Sequence, residues 1–192
     1  MAVMSYRPMT DVWILARSKV KYYGAYPAGF LQRARDLIGC RYDDPVLHVC
    51  SGQVRAYPHS GVGRYDMLMD IDPGQDPDII GDANTLGDYQ RAVQQANFLL
   101  SGDDDHPFQG VLADPPYTPA DAERYKITES FPTADAIVAH SLSILPIGGR
   151  VGILSLSWPR YPKAISRQVA VIAVYVGNGN LGRTFAVYER TT

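Results

Sequence analysis

Cysteine is nearly missing from this 192-residue chain: Cys40 and Cys50 are the only two, and no paired spacing of metal ligands surrounds either. That argues against a cysteine-held metal site and predicts two free thiols in a cytoplasmic protein. Long apolar runs are missing as well. The longest, such as Ala170 to Val176, falls far short of the about 20 residues that span a bilayer. The N-terminus lacks a charged start followed by an apolar stretch, so neither a membrane protein nor a secreted one is expected. Charge of one sign is not in excess, because 18 Lys and Arg face 20 Asp and Glu for a net charge of -2. The chain as a whole therefore has no electrostatic pull on nucleic acid. Length for a second folded unit is lacking too, since domains commonly take roughly 100–200 residues. One domain over residues 1–192 is expected, with no separate target-recognition domain.

What is present suits a folded core. Hydrophobic residues make up 46% and charged residues 20%, and 13 Tyr are spread along the chain, a composition opposite to that of disordered segments. Charge is distributed unevenly. Residues 1–42 hold seven basic side chains against Asp11 and Asp36, a balance of +5, whereas residues 70–114 hold ten Asp against Arg91 alone, a balance of −9. Most of these are ordinary solvated faces, but the pattern also fits a basic rim beside an acidic pocket for a cationic ligand.

Hydrophobic spacing gives the elements. Gly29 to Cys40 places Phe30, Leu31, Ala34, Leu37 and Ile38 on one helical face, with Pro27 before it and Gly39 near its end. Short apolar runs bounded by turn residues predict strands at Pro45–Cys50, Tyr65–Ile71, Asp78–Gly81, Gly110–Ala113, Val151–Ser157, Val169–Val176 and Arg183–Arg190. Helices are predicted where Tyr89, Val93, Ala96 and Leu100 share a face and over Ala134–Leu145. Residues 118–132 read as an irregular polar stretch, and Gly177-Asn178-Gly179-Asn180 reads as a hairpin turn between the last two strands. Alternating strands and helices closed by a hairpin suit an open, mostly parallel sheet, in which ligands bind beyond the carboxyl ends of the strands. Four of those ends carry marked chemistry: Cys50-Ser51-Gly52, Asp70-Ile71-Asp72, Asp82-Ala83 and Asp114-Pro115-Pro116-Tyr117.

The last of these, Asp114-Pro115-Pro116-Tyr117, resembles the catalytic motif of the amino-group methyltransferases that act on adenine in DNA with S-adenosylmethionine as donor. The chemistry the resemblance implies is definite. An exocyclic amine is a poor nucleophile because its lone pair is delocalised into the ring. Hydrogen bonds from it to Asp114 and to the carbonyl of Pro115 would localise that pair toward the methyl group, with Pro115 and Pro116 fixing the carbonyl. Tyr117 would stack on a base turned out of its helix.

The similarity runs roughly from Lys19 to Arg190. Lys21 to Pro27, including Tyr23 and Pro27, looks like the segment that closes over the methionine end of the donor. Val46 to Gly52, with His48, Cys50, Ser51 and Gly52, is similar to the family's first strand and glycine turn, where close backbone approach demands a residue without a side chain. Asp70 stands where the family grips the ribose hydroxyls. Asp82 and Ala83 stand where it meets the donor's adenine, and Asp114 borders the same ligand. The turn after Cys50 holds fewer glycines than the family's, and His48 sits where an acid is often found. On so apolar a strand His48 also reads as a packed core histidine.

The implied fold is an α/β, Rossmann-like class I methyltransferase fold with a mostly parallel seven-stranded sheet and a C-terminal antiparallel hairpin strand. The implied activity is S-adenosylmethionine-dependent methylation of the amino group of adenine in DNA, without a metal or a membrane. Nucleic acid is the expected partner, and target choice would come from loops, a homodimer or a separate specificity subunit. RNA or a cytosine amine requires little different chemistry, and a non-catalytic donor-binding or nucleic-acid-binding subunit would keep many of the same residues. The sequence leaves these alternatives open.

Overall fold

The computed structural model describes residues 6–19, 25–56, 61–100, 105–124, 131–177 and 182–192. Its strands are β1 (Met9–Leu15), β2 (Val46–Val49), β3 (Met67–Asp70), β4 (Ile79–Ile80), β5 (Gly110–Ala113), β6 (Arg150–Ser155), β7 (Ser166–Val176) and β8 (Arg183–Arg190). Its helices are α1 (Phe30–Leu37), α2 (Leu86–Leu100), α3 (Pro119–Arg124) and α4 (Ala134–Ile144). The strands form one eight-stranded sheet in the order β1-β7-β8-β6-β5-β2-β3-β4. All neighbours run parallel except β8, which is antiparallel to both β6 and β7.

Strands at the centre of a parallel sheet are covered on both faces and so read as continuous apolar runs. β2 (VLHV) and β5 (GVLA) are buried at every position. Alternate residues supply two cores. Leu47, Val49, Met67, Met69 and Val111 meet Tyr89, Ala92 and Ala96 of α2 and Ile137, Val138 and Leu142 of α4 on one face. Val46, Leu68, Leu112 and Leu154 meet Phe30, Leu31 and Ala34 of α1 on the other. Among the described residues no helix is long and apolar enough to cross a membrane.

The expected architecture is observed with one strand more than the seven foreseen. The addition is β1, parallel to β7 at the sheet's edge. Only Trp13 and Leu15 of its seven residues are buried, so its alternating signal is too short to stand out, and Asp11 interrupts the apolar run. The Asp11 carboxylate instead accepts from the Val12 amide at 2.7 Å and from Trp13 Nε1 at 3.2 Å. The stretch read as irregular from residue 118 holds α3, started by Thr118, whose hydroxyl accepts from the Asp121 amide at 3.1 Å. Thr-x-x-Asp is a capping pattern the sequence does carry. The hairpin turn itself, residues 178–181, lies outside the described residues, while the strands it joins pair as expected.

Beneath the sheet's central crossing lies a buried ionic knot. Arg35 of α1 and Asp66, just before β3, pair at 2.8 Å with side chains 3% and 1% exposed. Asp66 also accepts from His48 Nε2 at 2.9 Å, the Val46 amide at 3.2 Å and the Gly63 amide at 2.6 Å. Arg35 donates onward to the carbonyls of Arg41 (2.8 Å), Asp44 (2.6 Å) and Gly61 (3.4 Å). Gly63 is required there, because a Cβ would stand 2.3 Å from Arg35 Nη2. Burial alone would push the Asp66 carboxyl up, but the His48 hydrogen bond, the Gly63 amide and Arg35 together hold it below its ordinary 3.8.

Candidate active site

The carboxyl ends of β2, β3, β4 and β5 stay in register past the strands themselves. The Ser51 amide donates to Met69 O at 3.2 Å, the Gly81 amide to Asp70 O at 3.0 Å, and the Asp114 amide to Val49 O at 3.4 Å. Continuing the ladder this way brings Cys50-Ser51-Gly52, Asp70, Asp82-Ala83 and Asp114 to one edge. From β2 the chain moves to β3 on one side and later to β5 on the other, so the sheet's switch point lies at the ends of β2 and β5, the place where open α/β sheets bind ligands.

Backbone strain marks the turn after β2. Cys50 is a non-glycine residue at φ +54, and Gly52 follows at φ +51. Such a conformation in a residue bearing a Cβ costs on the order of 1–3 kcal/mol. The turn is held by Asp70, whose Oδ2 accepts from the Gly52 amide at 2.8 Å and whose Oδ1 accepts from the Asp72 amide at 3.0 Å. The Ile71 amide also bonds to this carboxylate, whose acceptor capacity still leaves room for a further donor. Burial raises the Asp70 carboxyl above 3.8 despite these bonds. The Cys50 thiol is pushed well above its usual value by burial and then by the charges of Asp70, Asp114 and Asp82, so the fields of three carboxylates from three strand ends converge on it.

Asp82 is fixed from behind. Its amide donates to Asp88 Oδ2 at 2.7 Å, and its Oδ1 accepts from the Asn84 amide at 2.8 Å. Ala83 is buried under it, and the Ala83 carbonyl accepts from the Tyr89 hydroxyl at 3.3 Å. Asn84 ties this corner to α4, accepting from the Thr133 amide at 3.1 Å and, through its carbonyl, from His140 Nε2 at 3.0 Å.

In the tetrapeptide after β5, Pro115 and Pro116 are buried and the Tyr117 hydroxyl donates to Asp114 Oδ1. Burial raises Asp114 from 3.8 to about 6, with the Tyr117 hydrogen bond and the charge of Arg183 opposing it. The Tyr117 hydroxyl is itself driven far up by burial and by the neighbouring Asp114 charge. The Arg183 guanidinium lies over the Tyr117 ring, 4.9 Å from its centroid.

Not every foreseen residue joins this group. Tyr23 lies outside the described residues. Pro27 is buried at the start of α1, its carbonyl accepting from the Phe30 amide at 3.0 Å. Next to it Tyr26 stacks on Phe30 at 5.3 Å and lies within electrostatic reach of the Tyr117 hydroxyl. His48 is set apart from the strand ends: it is buried, and its Nε2 meets Asp66 in the knot with Arg35. The basic rim is thinner than its charge count, because Arg35 is consumed in that same knot. Sequence reasoning passed over Arg183, which nothing local marks.

No family model matches the chain, and no curated protein matches it in sequence. Among solved structures, a Streptococcus mutans protein described as a candidate S-adenosylmethionine-dependent methyltransferase is similar over 86% of this chain and 50% of its own, with a TM-score of 0.51 at 12% identity. The chain has the class I methyltransferase fold. TrmN from Thermus thermophilus is similar over 86% of this chain and 49% of its own, at 18% identity and a TM-score of 0.47. An rRNA methylase from Streptococcus thermophilus is similar over 88% of this chain and 100% of its own, at 11% identity and a TM-score of 0.43. The chain spans about half the length of the first two of these proteins. Within the class I methyltransferase fold observed here, the switch point between β2 and β5 is bordered by Cys50 and Asp114 and flanked by Asp70 and Asp82.

Proposed function

We propose that the chain transfers a methyl group from S-adenosylmethionine to the exocyclic amino group of adenine in a nucleic acid, DNA by the likeness of its tetrapeptide. The observation that carries this reading is Asp114 at the end of β5, half-buried and already accepting a hydrogen bond from Tyr117. The residues around it fit the donor. Asp70, Asp82 and Asp114 offer negative charge to a ligand that bears a sulfonium and an ammonium, and Gly52 leaves the backbone open to close approach. S-adenosylmethionine would supply the activated methyl carbon, its sulfonium departing as a neutral thioether, and the methylated amine would then release one proton to solvent.

The chain's own groups do the rest. Asp70 offers its remaining lone pairs to the ribose hydroxyls, while Cys50, Ser51 and Gly52 shape the floor. Asp114 accepts one hydrogen of the amine in place of the Tyr117 hydroxyl, and the Pro115 carbonyl accepts the other. Tyr117 receives the face of the base. Positioning and exclusion of water supply the rate enhancement, with no covalent enzyme intermediate.

Labelled methyl incorporation into double-stranded DNA, single-stranded DNA and RNA, with nucleoside analysis of the product, tests the reading. Methyl on the adenine amine in any of these supports it and names the polymer. Donor binding by calorimetry without incorporation into any of them would replace the enzyme with a donor-binding subunit, and absence of both would remove the proposal entirely.

Two further outcomes are expected. Asp70→Ala should weaken donor binding by about 1.5–3 kcal/mol, the scale of hydrogen bonds to a charged group. A dissociation constant equal to that of wild type would move the role to Asp72. The second concerns pH. Ionised Asp114 accepts from the amine more strongly than the protonated acid does, and burial puts its pKa at about 6, so kcat should rise as pH passes upward through about 6 and level off above it. A flat profile between about pH 5 and 8 would take Asp114 out of the transfer step.

A further inference from the structure

Arg183 stands at the same strand ends although it is the first residue of the last strand. β8 runs antiparallel to its neighbours, so Thr184 pairs with Ser155 at the carboxyl end of β6 and Arg183 pairs with Val174 of β7. From that position its guanidinium carbon lies 4.9 Å from the Tyr117 ring centroid, and the Tyr117 hydroxyl in turn donates to Asp114 Oδ1. The cation of the last strand thus joins the ring and carboxylate of the turn after β5 in one chain of contacts. A guanidinium held over a ring favours one ring orientation. It also covers only one of the two faces.

Building on the methyl-transfer reading above, we infer that Arg183 is a positioning residue of that reaction, holding the Tyr117 ring so that its other face receives the base beside Asp114. It acts through Tyr117, not on the amine or the donor. Its charge has a second effect. The groups facing Asp114 are Tyr117 from its own turn, Arg183 from β8 and Cys50 from the end of β2, with Asp70 and Asp82 beyond the thiol. Arg183 is the positive one, and it opposes the rise that burial imposes on the Asp114 carboxyl. Without it, Asp114 would hold its proton to higher pH.

The test compares Arg183→Met and Arg183→Lys with wild type in donor calorimetry, methyl-transfer kinetics against pH, and a carbon-13 NMR titration of the Asp114 carboxyl. Arg183→Met should leave donor affinity unchanged, lower kcat about two- to thirtyfold, the range of a cation–ring contact from exposed to desolvated, and move the acid limb of kcat upward. Arg183→Lys restores the charge but not the planar stack. It should return the acid limb toward that of wild type and recover only part of kcat. Kinetics and limb in Arg183→Met indistinguishable from wild type would overturn the inference. Should wild type transfer methyl to no polymer, the methyl-transfer reading falls instead, and the NMR titration still judges Arg183: coinciding Asp114 curves in wild type and Arg183→Met overturn the inference by themselves.

Discussion

Asp114→Ala is expected to lower kcat for methyl transfer by about 10²–10³-fold, the usual cost of deleting one preorganised hydrogen-bonding group at a reacting centre. Donor affinity should stay within several-fold of wild type, because the turn that would cradle the donor is held by Asp70 and not by Asp114. The split between kcat and donor binding is the diagnostic part. A general collapse of these strand-end turns would lower both. Stability separates the cases further. Burial raises the Asp114 carboxyl from 3.8 to about 6, and an acid whose folded pKa is raised loses stability as pH rises between those two values, the cost being complete above the second. At pH 7 the alanine variant is relieved of that cost, while the Tyr117 hydroxyl loses its acceptor, worth about 1–3 kcal/mol when left stranded. The two nearly offset, so the melting temperature should change little. Asp114→Asn keeps one acceptor oxygen but cannot ionise, so it should retain partial kcat and lose the acid limb near pH 6. Wild-type turnover in Asp114→Ala would sink the mechanism.

Asp114 was legible because two prolines cannot continue a central strand, so Gly110 to Ala113 had to end there and place the acid at the sheet's edge. Asp70 and Asp82 were legible for a similar reason: each closes a short apolar run. β1 was not, since Val12 and Ile14 face outward and only Trp13 and Leu15 are buried. Sequence periodicity reports burial on both sides of a comparison, and an edge strand supplies it on one. Arg183 was illegible for a different cause. Its contact with Tyr117 depends on β8 folding back antiparallel between β6 and β7, a long-range pairing that no local pattern around Arg183 encodes. Arg35 shows the converse error: counted by sequence within a basic rim, it is sealed by the crossing of α1 over the β2–β3 connection. Charge counts locate formal charge, and only packing decides which of it reaches solvent.

That sealed arginine gives the largest effect expected on stability. Asp66→Ala should destabilise the fold by about 3–5 kcal/mol, because removing one member of a buried pair leaves the other charge without a counter-ion. Arg35 cannot escape to water: its guanidinium is bound to the carbonyls of Arg41, Asp44 and Gly61 as well. The amides of Val46 and Gly63 and the His48 ring would lose their acceptor in the same step. For a chain of this size the loss corresponds to roughly 2–4 °C of melting temperature per kcal/mol, and it is a large share of a total near 5–15 kcal/mol. Urea unfolding of Asp66→Ala, Arg35→Met and the double variant measures it. The double variant should be more stable than Asp66→Ala, since no lone buried charge remains, and equal stabilities would show that the charge was not the cause. Acid carries the same signature. The folded state holds the Asp66 carboxyl below 3.8, so its contribution is fully present at neutral pH and is lost as the pH falls through the ordinary carboxylate range and below it. Asp66→Ala should therefore show a weaker dependence of stability on pH below about 4 than wild type does. The knot lies under the start of β2, away from the strand ends, so donor affinity per folded molecule should be the same in both proteins.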